Sequence, residues 1–297
     1  AAKQRGVHVF HLNIGQPDLP TPQAAIDAIR NIDRKVLEYS PSAGNRSYRE
    51  KLVGYYAKFN INLTADDIII TSGGSEAVLF SFLSCLNPGD EIIVPEPAYA
   101  NYMAFAISAG AKIRTIATTI EEGFSLPKVE KFEELINERT KAILICNPNN
   151  PTGVLYPKEL LLEIIQIARE SGLLIFADEI YDRLVMDGKQ HISLASLTED
   201  VPVITLNGLS KSHCLCGYRY GWMVISGPRE LTEDYRQGII QLTSLRLCAN
   251  TMAQIVIPAA LDDMETPASM IRPGGRIYEQ REATVRELEK INGLSFV

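Results

Sequence analysis

The chain alternates short runs of continuous apolar, β-branched residues with longer amphipathic stretches. The apolar runs cover residues 68–71, 91–94, 112–116, 142–146, 173–177, 203–206 and 222–225. Continuous rather than alternating hydrophobicity marks strands buried on both faces, and so a mostly parallel sheet covered by helices. Between the runs lie stretches of helical period, among them 75–86, 157–170 and 231–261, several opened by Pro or a capping residue. The expected fold is α/β: a three-layer sandwich around a mostly parallel sheet of about seven strands.

The same pattern suggests limits. Residues 1–40 read as an N-terminal arm and lead-in, where Pro17, Pro20 and Pro22 oppose regular structure. Residues 41–275 hold the strand and helix alternation and form a large domain. After Pro273-Gly274-Gly275 a charged helix is expected from Arg276 to about Lys290, and the apolar Leu294-Ser295-Phe296-Val297 reads as the start of a new strand. Residues 276–297 would then begin a small domain that is incomplete. The first residue is not Met and a charged stretch follows it, so further residues are expected upstream.

Composition narrows the classes. With 46% hydrophobic and 22% charged residues among 297, the chain has ordinary globular values that argue against disorder. A net charge of −7 without a basic block weighs against a nucleic-acid or anionic-membrane partner. No apolar run approaches the roughly 20 residues of a membrane span, and no signal-peptide pattern opens the chain. Five scattered cysteines fit reduced thiols in a cytoplasmic protein rather than a disulfide framework. His213, Cys214 and Cys216 lack a second ligand pair at zinc spacing, so no metal site is expected.

The candidate chemistry centres on Lys211, in Asn207-Gly208-Leu209-Ser210-Lys211, with Arg219 eight residues later. Asp178, in Asp178-Glu179-Ile180-Tyr181, ends an apolar strand, and ligands of α/β sheets gather outside carboxyl strand ends. A carboxylate there needs a partner, unless it simply caps a following helix. Gly73, Gly74 and Ser75 follow one strand and open a helix, where a phosphate is favoured by free N–H groups and the helix dipole. Arg219 would add a bidentate cation. Asn150, in a turn held by two prolines, can place an amide, and Tyr99 after the 91–94 strand can lay its ring on a planar ligand. Each feature alone also fits a surface lysine, a turn or core packing. A lysine for an aldehyde, an acid for a ring nitrogen, and an arginine with a glycine turn for phosphate together make an inventory for pyridoxal 5'-phosphate (PLP).

In this order the motifs resemble the class I/II aminotransferases of PLP fold type I, from Leu12-Asn13-Ile14-Gly15-Gln16-Pro17-Asp18 onward. The most specific elements are Asn150-Pro151-Thr152-Gly153, Asp178-Glu179-Ile180-Tyr181, and Ser210-Lys211 with Gly217-Tyr218-Arg219-Tyr220-Gly221. The resemblance implies that Lys211 is the Schiff-base lysine and Asp178 the partner of the pyridine nitrogen. Tyr181 and Asn150 would meet the ring 3-oxygen, and Tyr99 would stack on the ring. Gly73, Gly74, Ser75, Ser210 and Arg219 would hold phosphate. Tyr39 matches a tyrosine that reaches the phosphate of a neighbouring subunit, implying a homodimer. Gly15, with Asn150, would meet the substrate carboxylate.

Two departures stand out. Gly208 occupies the place of a phosphate-binding Ser or Thr three residues before the lysine. By the resemblance, the arginine that grips the substrate α-carboxylate lies beyond Val297.

Within the family, the segments 207–211, 246–250 and 272–276 look most like the bacterial alanine aminotransferase branch. The implied reaction moves an amino group between an L-amino acid, alanine by this resemblance, and a 2-oxo acid, 2-oxoglutarate, in a ping-pong cycle. Two other readings keep the cofactor: a carbon–sulfur lyase, and a PLP-sensing domain of a transcription regulator. The second requires a helix-turn-helix segment, and no basic segment of that kind precedes Leu12.

Overall fold

The computed structural model describes residues 1–10 and 15–297. Leu12, Asn13 and Ile14, where the family resemblance begins, fall outside the described residues.

The chain runs through α1 (Gln23–Arg30), α2 (Arg46–Ala57), β1 (Ile68–Thr71), α3 (Gly74–Cys85), β2 (Glu91–Glu96), α4 (Asn101–Ser108) and β3 (Lys112–Ala117). It continues with α5 (Val129–Glu133), β4 (Thr140–Cys146), α6 (Lys158–Ser171), β5 (Leu174–Asp178), β6 (Val203–Gly208) and β7 (Gly221–Ser226). Five helices follow: α7 (Arg229–Arg246), α8 (Thr251–Ile255), α9 (Ile257–Asp262), α10 (Glu265–Ile271) and α11 (Arg276–Leu288). The seven strands form one sheet in the order β1-β7-β6-β5-β4-β2-β3. Only β7 runs against its neighbours β1 and β6.

Side chains alternate across the sheet, and both sets are buried in all strands but the edge strand β3, where only Ile116 is buried. That is why the other strands read as continuous apolar runs. Ile92, Leu144, Phe176, Ile204 and Met223 pack against α3, α4 and α7. Ile93, Ile143, Ile175, Val203 and Trp222 pack on the other face against α2, α6, α8 and α9. The three-layer α/β sandwich expected from the pattern is the observed one.

The structure differs from the sequence reading in three places. The lead-in is not devoid of regular structure. Pro22 precedes α1, where a missing N–H costs nothing, and Ala25 packs into the core. The single helix expected over 231–261 is three, because Leu247 takes a left-handed backbone (φ 76°) and Asn250 caps a new helix by accepting the Ala253 N–H at 3.1 Å. Residues 294–297 form no strand, since none of the described residues offers them a neighbour to pair with.

Candidate active site

Parallel strands β4, β5 and β6 end at Cys146, Asp178 and Gly208, and the reversed β7 begins beside them at Gly221. A cavity of about 590 Å³ opens over these ends, lined by Gly15, Gly74, Ser75, Tyr99, Asn150, Asp178, Tyr181, Ser210, Lys211 and Arg219. That size suits a small organic ligand. Gly73 lies just behind the lining against Arg219. Tyr39 alone among the expected residues is away from the cavity, 78% exposed on the surface.

Asp178 closes β5 at the cavity floor. Its carboxylate accepts the Tyr102 hydroxyl at 2.6 Å and the Ile180 N–H at 3.2 Å. The cap that Asp178 provides therefore serves a turn rather than a helix. Burial raises its pKa, and the two hydrogen bonds only partly oppose the rise. It forms no ion pair among the described residues. Its remaining exposure opens on the cavity it lines, so a cationic N–H there would complete its partners.

Lys211, Gly74, Ser75 and Arg219 line the same cavity. Lys211 follows the β6 turn, and its amine donates to the Gly15 carbonyl. Gly73 has φ 82° and caps α3 without a side-chain hydrogen bond, so the first turn keeps free N–H groups. The dihedral favours glycine at Gly73, and a Cβ there would push the Arg219 guanidinium out of its place against the turn. Arg219 itself is left-handed (φ 55°, ψ 56°) and donates to the Cys216 carbonyl at 2.8 Å. A strained non-glycine residue that aims a cation at a helix N-terminus is the mark of an anion cradle.

The 147–153 turn sorts its asparagines. Asn147 accepts the Tyr156 N–H at 2.9 Å, and Asn149 accepts the Thr152 hydroxyl at 2.9 Å. Asn150 is the one that lines the cavity. Tyr99 and Tyr102 form an edge-to-face pair with ring centroids 5.4 Å apart.

Gly208 also has a reason. A Cβ there would stand 2.7 Å from the Tyr220 carbonyl oxygen, so the β6–β7 ladder leaves no room for Ser or Thr. Ser210 lines the cavity two residues on. Tyr102 was not among the residues singled out from the sequence. Its position at the start of α4, three residues after Tyr99, was the available signal, and a tyrosine there also fits plain packing.

The sequence profile of the family described as "Aminotransferase class I and II" matches residues 7–297. The chain belongs to the class I and II aminotransferases. Glutamate-pyruvate aminotransferase AlaA of Escherichia coli is 40% identical over 99% of this chain and 74% of its own length. Alanine aminotransferase of Mycobacterium tuberculosis is 36% identical over 98% of this chain and 69% of its own length. Among solved structures, an aminotransferase from Escherichia coli superposes with a TM-score of 0.94 at 37% identity, covering 98% of this chain and 73% of that one. Alanine aminotransferase from Pyrococcus furiosus gives 0.92 at 36% identity, covering 98% and 74%. The aminotransferase thus has the α/β sandwich of its relatives, with its cavity at the carboxyl strand ends.

Proposed function

We propose that this aminotransferase uses PLP, held in the cavity over β4–β7, to exchange an amino group between alanine and 2-oxoglutarate. The observation that carries the reading is a single cavity joining an amine, a buried carboxylate without a cation and an arginine-backed helix N-terminus. The residues fit the cofactor at three points. Asp178 lacks the cation a protonated pyridine would supply, and Lys211 offers a primary amine to an aldehyde. Gly73, Gly74, Ser75, Ser210 and Arg219 offer N–H groups, hydroxyls and a guanidinium to a phosphate. When bound, the cofactor supplies an electron sink that stabilises charge at the substrate α-carbon.

The chain's own groups do the rest. The Lys211 amine removes and returns a proton at the substrate α-carbon. Asp178, whose carboxylate accepts the Tyr102 hydroxyl, would hold positive charge on the ring nitrogen of the bound cofactor. Asn150 and Tyr181 would serve the ring oxygen, Tyr99 would cover the ring face, and Gly15 with Asn150 would receive the substrate carboxylate.

Alanine as donor is supported by relatives named for glutamate, pyruvate and alanine. The reading extends to a homodimer, in which exposed Tyr39 and its exposed neighbours Val36 and Leu37 would meet a second copy. A cytoplasmic location agrees with five unpaired thiols. Residues 41–275 would form the cofactor-binding domain, 1–40 its arm and 276–297 part of a second domain. Lys211→Ala should abolish amino transfer from alanine to 2-oxoglutarate; transfer at the wild-type rate would overturn the assignment.

A further inference from the structure

We infer that Glu76 and Arg246 form a positioning clamp that fixes the shape of the phosphate cup, an inference that rests on the cofactor reading above. Glu76 lies in the first turn of α3, just past the cup residues. One of its oxygens accepts the Ser72 N–H at 2.7 Å and the Arg246 guanidinium at 2.6 Å. Arg246 ends α7, and its other terminal nitrogen donates to the Ser42 carbonyl at 2.8 Å. The two side chains retain only 14% and 16% of their exposure. Three distant stretches therefore meet at one shielded ion pair: the turn before α3, the loop that follows Tyr39, and the end of α7.

The neighbourhood supports the same arrangement. Gln254, fully buried on α8, accepts the Asn45 N–H at 2.9 Å and donates to the Ser40 hydroxyl at 2.8 Å, pinning the same loop from the far side of the α7–α8 break. The left-handed Leu247 ends α7 where Arg246 reaches Glu76.

Electrostatics alone would argue against a carboxylate here. Glu76 stands next to the N-terminus that would receive a phosphate dianion, and like charges repel. Its value is geometric: holding the Ser72 N–H sets the turn that leaves Gly74 and Ser75 lining the cavity. Charge and geometry therefore give opposite signs for the same substitution.

The test compares the affinity of PLP with that of pyridoxal, the same ring and aldehyde without phosphate. Absorbance titration of wild type, Glu76→Ala and Glu76→Gln supplies the values. Both variants remove the charge, but only Gln keeps an acceptor for Ser72. Glu76→Ala should bind PLP roughly tenfold more weakly, with pyridoxal affinity unchanged, and Glu76→Gln should recover most of the loss. Tighter or unchanged PLP binding in Glu76→Ala would overturn the clamp, as would equal losses of PLP and pyridoxal. Should Glu76→Ala fail to fold, Arg246→Lys keeps the charge but cannot span Glu76 and the Ser42 carbonyl. It must then show the same phosphate-specific loss, or the clamp is wrong. A wild type that binds pyridoxal as tightly as PLP would overturn the phosphate cup itself, a failure distinct from that of the clamp.

Discussion

Tyr102→Phe removes one hydroxyl from the cavity floor and leaves the ring in place. That hydroxyl donates to Asp178 at 2.6 Å from a side chain that is 1% exposed, so water cannot replace it cheaply. A hydrogen bond to a charged group contributes roughly 1.5–3 kcal/mol. In the cofactor-free protein the ionised Asp178 carboxylate should lose about that much, and its protonated form far less. Burial already raises the Asp178 pKa, and the Tyr102 hydroxyl opposes the rise. Without it the folded-state pKa climbs further, because burial is then opposed by the Ile180 N–H alone.

The sign follows from linkage. A carboxyl whose folded pKa is raised is favoured in its protonated form, so wild type and variant differ least where both are protonated. The deficit of the variant grows as pH rises through the folded pKa of Asp178. Urea unfolding of both cofactor-free proteins, from the ordinary carboxylate range at about pH 4 up to about pH 8, measures it. A gap that widens with pH toward roughly 1.5–3 kcal/mol is expected. A gap that stays constant across the range would refute the reasoning, because it would report only the space left by the missing oxygen.

Three further outcomes follow from the same geometry. Asp178→Asn should leave the cofactor-free melting temperature unchanged or higher, since a desolvated carboxylate becomes an amide, while PLP affinity falls roughly tenfold or more; unaltered affinity in an absorbance titration would contradict the pairing. His191 lies 3.3 Å from Glu179 with both side chains buried, and although burial pushes its pKa down, Glu179 raises it above 6.5 on balance. That stabilisation is complete below the unfolded value and is lost as pH rises through the folded one, so His191→Gln should flatten the decline in unfolding free energy above about pH 6.5; an unchanged slope would count against it. Gly208→Ser should destabilise by about 1–3 kcal/mol by forcing β6 from β7, measured by urea unfolding; a neutral result would mean the strands yield more readily than the Tyr220 carbonyl contact implies.

Much of this was legible in the chain because the signals were local. Buried strands are continuous apolar runs, and the exposed edge strand β3 still shows in its β-branched Ile113, Thr115 and Ile116, so all seven appeared at the right places. Lys211, Arg219, Asp178 and the Gly73-Gly74-Ser75 turn each sit at a strand end or helix start, where sequence spacing already fixes position. The failures were non-local. Tyr102 meets Asp178 across 76 residues, and nothing in its own helix announces that contact. The break after α7 depends on a left-handed Leu247, a backbone state that apolar periodicity does not encode. Glu76 and Arg246 meet across 170 residues, a contact that sequence spacing does not encode.

The most direct test follows the amino group itself. Protein loaded with PLP is given alanine labelled at nitrogen, then 2-oxoglutarate, with absorbance recorded throughout. The cofactor band should change on adding alanine as pyruvate appears, return on adding 2-oxoglutarate, and leave the label in glutamate, with no change in Lys211→Ala. Release of the label as ammonia, or a spectrum indifferent to alanine, would contradict amino transfer at this site.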